Sequence, residues 1–303
     1  MTDAIRHAHS PFLSGFIAIV GPPNAGKSTL LNRLLGTKVA IVSPKPQTTR
    51  NRIMGIYHAK DFQMVFIDTP GIHHTQTLLH KSMVASAKEA FFEVDIVMVV
   101  IEMSRYDTPE IQLILKHLKD IHKPRLLMIN KIDKGRKMEL LPIIDFYQKQ
   151  GLFENIIPIS ALNGDGTAQI IRELKKRLSP GPAFFPEDMK TDQSDPFLIA
   201  EIIREKIYIH TKKEIPYSSA VVVDRLTENP NKILLSVSAR IFVESDSQKA
   251  IVIGHGGKMI RAIGRAARLE LEKIFGVHIF LDLTVKVEKN WGKDTKALRR
   301  LGY

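Results

Sequence analysis

Gly21-Pro22-Pro23-Asn24-Ala25-Gly26-Lys27-Ser28 fits the pattern G-x-x-x-x-G-K-[ST], and its flanks decide what it means. Before it runs Gly15-Phe16-Ile17-Ala18-Ile19-Val20, a short apolar run of strand type. After it, from Thr29 on, Leu31, Leu34 and Leu35 fall at helical spacing and Gly36 ends the run. A strand, a glycine-rich turn and a helix start together make a phosphate cradle. The helix aims unpaired N–H groups and its positive dipole end at the anion. Gly21 and Gly26 let backbone come close to phosphate oxygens where a Cβ would clash. Pro22, Pro23, Asn24, Ala25 and Thr29 belong to the same turn, with Lys27 reaching the outer phosphates and Ser28 holding Mg2+.

A length of 303 residues fits about two domains, each able to bury a core. Charged residues at 25% and hydrophobic ones at 44% belong to an ordinary globular chain, not a disordered one. Cysteine is absent, which excludes disulfides, thiolate metal sites and thiol catalysis. The histidines, His7, His9, His73 and His74 among them, show no metal-ligand spacing and read as exposed loop residues. A net charge of +12 favours an anionic partner: nucleic acid, nucleotide or an acidic membrane surface. No apolar run is long enough to span a bilayer, and Asp3 with a short apolar patch does not read as a secretory signal. The expectation is a cytoplasmic protein, with peripheral membrane contact left open.

Beyond the first helix, Ser43-Pro44-Lys45-Pro46-Gln47-Thr48-Thr49-Arg50 is a polar, proline-broken loop. Residues 53–57 and 63–67 read as two strands, the second running into Asp68-Thr69-Pro70-Gly71. D-x-x-G alone is a common turn. After a P-loop and directly behind a strand, its acid is placed for the second metal contact. A helix is expected from Leu78 to about Glu93, then a buried strand over 95–101. Thr108-Pro109 opens the next helix, and a strand over 125–129 ends in Asn130-Lys131-Ile132-Asp133. Another helix, a strand at 155–159, Ser160-Ala161-Leu162 and a helix over about 167–178 complete the alternation. Strands alternating with helices imply an open, mostly parallel sheet covered on both faces, with ligands at the strands' carboxyl ends.

Asn130-Lys131-x-Asp133 selects the base. A carboxylate at Asp133 accepts from guanine N1–H and the N2 amino group; adenine offers neither donor. A buried carboxylate left without donors is penalised by roughly 1–3 kcal/mol or more, so GTP is expected to win strongly over ATP.

Together, residues 21–28, Thr48-Thr49, residues 68–71, residues 130–133 and Ser160-Ala161 resemble the G1 to G5 motifs of translation-factor-like GTPases. The resemblance implies a switch I at Gln47, Thr48, Thr49 and Arg50, with either Thr48 or Thr49 on Mg2+. It also implies Asp68 on Mg2+ through water, the Gly71 N–H sensing the γ-phosphate, and Ser160-Ala161 touching guanine through backbone. After Gly71 stands Ile72, where many GTPases place a glutamine that orients the attacking water. Isoleucine cannot hydrogen-bond water, so slow intrinsic hydrolysis is expected. Asn24 matches the position at which related GTPases recruit K+; a plain turn residue is the equal alternative.

The second half begins with a proline-broken stretch, residues 180–195, that reads as a linker whose Phe184 and Phe185 pack somewhere. A helix over 196–211 follows, with Ile199, Ile202, Ile203 and Ile207 on one face, then strands over 219–226 and 232–243. A helix over 247–253, Gly254-His255-Gly256-Gly257, a helix over 258–275 and a strand over 277–287 complete the series. This order, helix-strand-strand-helix-G-x-x-G-helix-strand, is that of an α+β type II KH domain. A G-x-x-G turn offers backbone N–H groups and a helix start to sugar-phosphate with no side chain in the way. On the helix after it, Ile260, Ile263, Ala267, Leu271 and Ile274 form the stripe for the core. Lys258, Arg261, Arg265 and Arg268 are candidates for RNA contact, since His255-Gly256 brings no Lys or Arg into the turn. From Lys249 to Tyr303, 12 Lys and Arg stand against 5 Asp and Glu. A solvated basic face is the bland alternative.

The expected organisation is a GTPase domain over residues 12–179, a linker over 180–195, a KH domain over 196–288 and a basic tail over 289–303. That pairing, with Phe185-Pro186-Glu187-Asp188 and residues 201–206, resembles a family of bacterial ribosome-assembly GTPases along nearly the whole chain. The resemblance implies binding near the 3′ end of small-subunit ribosomal RNA and action in assembly of the 30S subunit. It also implies a monomer, no DNA partner, and partial association with an anionic inner-membrane surface. A signalling switch whose second domain docks a protein or membrane is the alternative of another class. A metabolic ATP-dependent kinase is disfavoured by the N-K-x-D loop.

Overall fold

The alternation between Leu13 and Pro180 closes into one seven-stranded sheet in the computed structural model, which describes residues 11–46, 48–71, 93–229 and 233–302. Its strands are β1 (Leu13–Val20), β2 (Ile53–Ala59), β3 (Phe62–Asp68), β4 (Ile96–Glu102), β5 (Arg125–Asn130), β6 (Asn155–Pro158) and the two-residue β7 (Ser179–Pro180). The order is β2-β3-β1-β4-β5-β6. The β2–β3 hairpin is antiparallel; β3, β1, β4, β5 and β6 run parallel. Helices α1 (Lys27–Leu35), α2 (Pro109–Leu118), α3 (Leu140–Gln150) and α4 (Thr167–Lys175) cover both faces. Two apolar clusters follow from strand alternation. Ile17, Ile19 and Met98 pack with Leu30, Leu34 and Leu174 on one side; Ala18, Val97 and Val99 pack with Ile111, Leu115 and Tyr147 on the other.

Register places the chemistry. Ile19 pairs with Asp68 across β1 and β3, and Glu102 with Asn130 across β4 and β5, so these groups end on one rim beside the turn that follows β1. Thr108 caps α2 through its side chain, as its sequence position promises. The helix expected over 78–93 lies outside the described residues up to Phe92.

Ser179–Pro180, read from sequence as the end of the domain and the start of a linker, instead pairs antiparallel with Leu13–Ser14. The stretch after it is stitched to the hairpin. Gln63, fully buried, accepts from the Phe184 and Phe185 N–H groups and donates to Phe185 O, while Thr191 donates to Met54 O. Phe184, still partly exposed, packs on Phe16 with ring centroids 4.8 Å apart, while Phe185 is held through its backbone.

The second sheet holds β8 (Ala220–Asn229), β9 (Leu234–Val243) and β10 (His278–Val287) in the order β10-β9-β8, with β8–β9 antiparallel and β9–β10 parallel. One face is covered by α5 (Asp195–His210), α7 (Asp246–Ile253) and α8 (Lys258–Phe275); the single turn α6 (Ile215–Ser218) leads into β8. Ile263, Ala267 and Leu271 are buried as the stripe requires, while Ile260 and Ile274 are only partly so.

The segment read as a basic tail is folded against the second sheet. Trp291 and α9 (Thr295–Arg300) put Trp291, Ala297, Leu298 and Leu301 against Ala220 and Phe242 on the opposite sheet face. Its charges face solvent while a short apolar spacing faces the sheet, and the charge count hides that spacing.

The two halves touch directly. Ile41 of the first half lies in the second half's core. Lys38 pairs with Glu205 of α5 and Glu270 of α8, and Lys206 bonds the same two carboxylates.

Candidate functional site

A cleft of about 610 Å3 opens at the carboxyl rim of the first sheet, lined by Pro23, Asn24, Gly26 to Thr29, residues 41–44, Thr48, Thr49, Gly71, Glu102, Arg105, Lys131, Lys134 and Leu162. That size suits a nucleotide. The turn between β1 and α1 forms its floor. Gly26 has φ +96°, and a Cβ there would lie 2.2 Å from Asn130 Nδ2. Gly71 rests against the same turn, where a Cβ would meet Pro23 N at 2.8 Å. Both positions require glycine for physical reasons, one for conformation and contact, the other for contact alone.

Under this floor three oxygen-bearing side chains converge. Ser28 Oγ donates to Asp68 Oδ2 at 2.6 Å and lies 2.9 Å from Thr49 Oγ1. The Thr48 hydroxyl instead donates to Lys45 O at 2.8 Å. Sequence left both threonines open as metal ligands; of the two hydroxyls, Thr49 meets Ser28 and Thr48 turns to Lys45 O. Asp68 is fully buried, and its Oδ1 has no hydrogen-bond partner among the described residues. Burial pushes this carboxyl up to about 6 from the ordinary 3.8, with Lys27, Ser28 and Thr49 opposing. Burial brings the Lys27 ammonium down to about 8, with Asp68 opposing. The Lys27 ammonium donates to Gly21 O and Pro22 O of its own turn.

An orphaned carboxylate oxygen beside two hydroxyls fits a hard cation. Among the described residues no group of three His, Asp or Glu could form an all-protein cage. A Mg2+ ion here would complete its shell with phosphate and water, as that ion prefers.

The base end is built on Asn130. Its Nδ2 donates to Ala25 O at 2.7 Å, while its Oδ1 accepts from Lys131 N and Ala161 N, tying the phosphate turn to both neighbouring loops. Ser160 Oγ donates to Asp133 Oδ1 at 2.6 Å, so a sequence-called pair supports itself. Lys131 pairs with Glu102 at 2.6 Å. Asn24 has φ +62° and donates through Nδ2 to Pro44 O. Gln47 and Ile72 lie outside the described residues.

Sequence reading missed four contributors. Glu102 ends β4 and Arg105 stands three residues beyond it, where a strand end is itself the signal. Arg33 of α1 holds Ala161 O and Leu162 O, and Arg204 of α5 holds Thr48 O; no local pattern announces either contact. Arg50, placed in switch I, does not line the cleft but enters the second half of the chain.

At the second candidate site, Gly254, Gly256 and Gly257 have φ of +72°, +57° and +74° ahead of α8. His255 and Gly256 are exposed, as are Lys258 and Arg265. Arg261 folds back instead, donating to Gly256 O and Gly257 O, and Arg268 pairs with Glu272. Arg261, itself exposed, therefore braces the turn, a role its helical position alone could not show.

Fold and site together define a P-loop GTPase domain followed by a C-terminal KH domain. Family models agree: one described as 50S ribosome-binding GTPase matches residues 16–131, and one described as KH domain matches residues 214–292. GTPase Era of Syntrophus aciditrophicus is 52% identical over 96% of this chain and 95% of its own length. GTPase Era of Geobacter metallireducens is 47% identical over 97% and 99%. Two crystal structures each match at a TM-score of 0.92 with 39% identity, covering 96% of this chain and 99% of theirs. One is an Aquifex aeolicus Era variant bound to GDP and AlF4−; the other is Era in complex with MgGDPNP and nucleotides 1506–1542 of 16S ribosomal RNA. The chain belongs to the Era family of GTPases.

Proposed function

We propose that this chain is a GTP-driven switch that binds small-subunit ribosomal RNA near its 3′ end and assists rRNA processing and 30S assembly. The observation that carries the reading is the Thr49 contact. One switch residue meets Ser28 beside Asp68, while its neighbours Thr48 and Arg50 are held by the KH half. The Era complex that contains both MgGDPNP and 16S rRNA supports the pairing of ligands.

In this reading the turn over 21–28 cradles the phosphates through backbone N–H groups, and Lys27 exchanges two loop carbonyls for phosphate oxygens. Ser28 and Thr49 ligate Mg2+ directly and Asp68 holds it through water. When bound, the ion supplies positive charge to the β- and γ-phosphate oxygens. Asp133 reads guanine, steadied by Ser160, and Ala161 presents its backbone to the base. Ile72 supplies no hydrogen bond to an attacking water, so hydrolysis is slow. Asn24 is the position for K+. Gly254 to Gly257, Lys258 and Arg265 face RNA, with Arg261 and Arg268 shaping that surface. The GTPase domain spans 12–179, the linker 180–195 and the KH domain 196–288, with 289–303 packed on the last. Contact with an anionic inner-membrane surface rests on the family resemblance and the net charge of +12.

Binding of a fluorescent RNA from the 3′ end of small-subunit rRNA, with GDPNP or GDP, tests the proposal. An unrelated RNA serves as control at two salt concentrations, because phosphate contacts are salt-dependent. Specific binding favoured by GDPNP, and lost in Gly256→Asp/Gly257→Asp with GTP hydrolysis intact, is expected. Non-specific binding that vanishes in moderate salt would overturn the RNA reading in favour of a protein- or membrane-docking switch.

A further inference from the structure

Arg50 follows Thr49 directly and points the other way. Thr49 closes the oxygen cluster with Ser28, whereas the Arg50 guanidinium is buried in the KH half. Its Nη1 donates to Ser219 O at 2.8 Å, and its Nη2 donates to Tyr217 O at 2.8 Å and Pro216 O at 3.1 Å. Trp291 faces the same group, 5.8 Å from guanidinium carbon to ring centroid, and its indole N–H donates to Ser218 O at 3.0 Å. One residue before Thr49, Thr48 O accepts from Arg204, which Glu201 holds at 2.6 Å. Thr49 is thus bracketed by two anchors, both belonging to the RNA-binding half. The stretch over 180–195, by contrast, is stitched to β2 and β3.

We propose that Arg50 is a positioning residue for the metal site: the carbonyls of Pro216, Tyr217 and Ser219, closed over by Trp291, hold Arg50 and so set Thr49 against Ser28 and Asp68. The inference rests on the reading of that cluster as a Mg2+–GTP site. A planar guanidinium with several fixed donors can be held by three diverging carbonyls; a lysine ammonium in the same place cannot span them. Consecutive residues share one rigid peptide unit, so the cradle that fixes Arg50 restricts where the Thr49 backbone stands. Linkage then requires the reverse effect: what occupies the metal site alters the surroundings of Trp291.

Trp291 is the one tryptophan of the chain, so its emission reports this contact without a label. The full chain is titrated with Mg2+ in the presence of GDPNP or of GDP. A Trp291 emission difference between the two nucleotides is expected, and it disappears in Arg50→Lys. In the same variant the Mg2+ concentration for half-maximal GDPNP retention rises about tenfold, the scale of a lost charge-assisted hydrogen bond. GDP binding in EDTA survives, which separates positioning from loss of fold. Identical emission in both nucleotide states of the unaltered protein overturns the proposal, whether or not Arg50→Lys folds. So does an unchanged Mg2+ half-saturation in a folded variant. Failure of the unaltered protein to bind GDPNP at all would overturn the underlying GTP reading instead.

Discussion

Asp68→Asn turns the buried carboxylate into a measurable quantity. Asp68 is fully buried, accepts from Ser28 through Oδ2, and finds no partner for Oδ1 among the described residues. Burial, the largest cause, raises its carboxyl from 3.8 to about 6. A shift of about two units corresponds to roughly 3 kcal/mol that the ligand-free fold bears when the group is ionised. The folded chain binds the proton more tightly than the unfolded one. The cost is therefore absent below the unfolded value, grows as pH rises through the interval, and is complete above about 6. Asparagine carries no such proton. Unfolding by urea in EDTA, for both proteins at pH 7 and pH 5, isolates the linkage because constant effects of the substitution cancel. On acidification the unaltered protein should gain on Asp68→Asn by about 1 kcal/mol. Mg2+ should stabilise the unaltered protein more at pH 7 than at pH 5, since proton and cation compete for one group. A stability difference that is flat with pH, or that moves the other way, would refute the reasoning.

Other substitutions probe other links. Gly26→Ala places a methyl 2.2 Å from Asn130 Nδ2 at a φ of +96°, so equilibrium dialysis should show loss of both GDP and GTP, with the fold retained by circular dichroism. Asp133→Asn replaces two acceptors by one acceptor and a donor facing guanine, and GDP affinity should fall about tenfold to a hundredfold, with xanthine nucleotides gaining in competition binding. Trp291→Ala removes a side chain only 1% exposed; a loss of about 3–5 kcal/mol is expected in denaturant unfolding of the KH half, and a loss below 1 kcal/mol would show that the C-terminal segment is not docked in solution.

The phosphate turn was legible from sequence because everything that makes it is local: a strand, two glycines, a lysine, a hydroxyl and a helix start. Asp68 and Asn130 were legible because each ends a strand whose apolar run is continuous, and register then brings them to one rim. The pair Thr48 and Thr49 was not separable. Both carry the same hydroxyl, and the choice depends on which side of the extended loop faces Ser28. The Arg261 bonds to the turn were not legible for a related reason: they depend on where the folded turn aims the Gly256 and Gly257 carbonyls. The C-terminal segment misled because charge dominates its composition while four apolar side chains do the packing.

Sequence alone determined the two domain types, the order of their elements, the preference for guanine and the rim on which the site lies. These rest on periodicity, turn chemistry and strand order, interactions that span a few residues or follow from connection rules. Tertiary structure alone decided that the loop at residues 48–50 is held by the KH half, that Thr49 rather than Thr48 meets Ser28, and that Trp291 faces Arg50. The contacts that hold this loop join residues more than 150 positions apart, Arg50 to Ser219 and Thr48 to Arg204. No local pattern encodes such pairs, because a buried donor must find its acceptor in whatever surface folding brings to it.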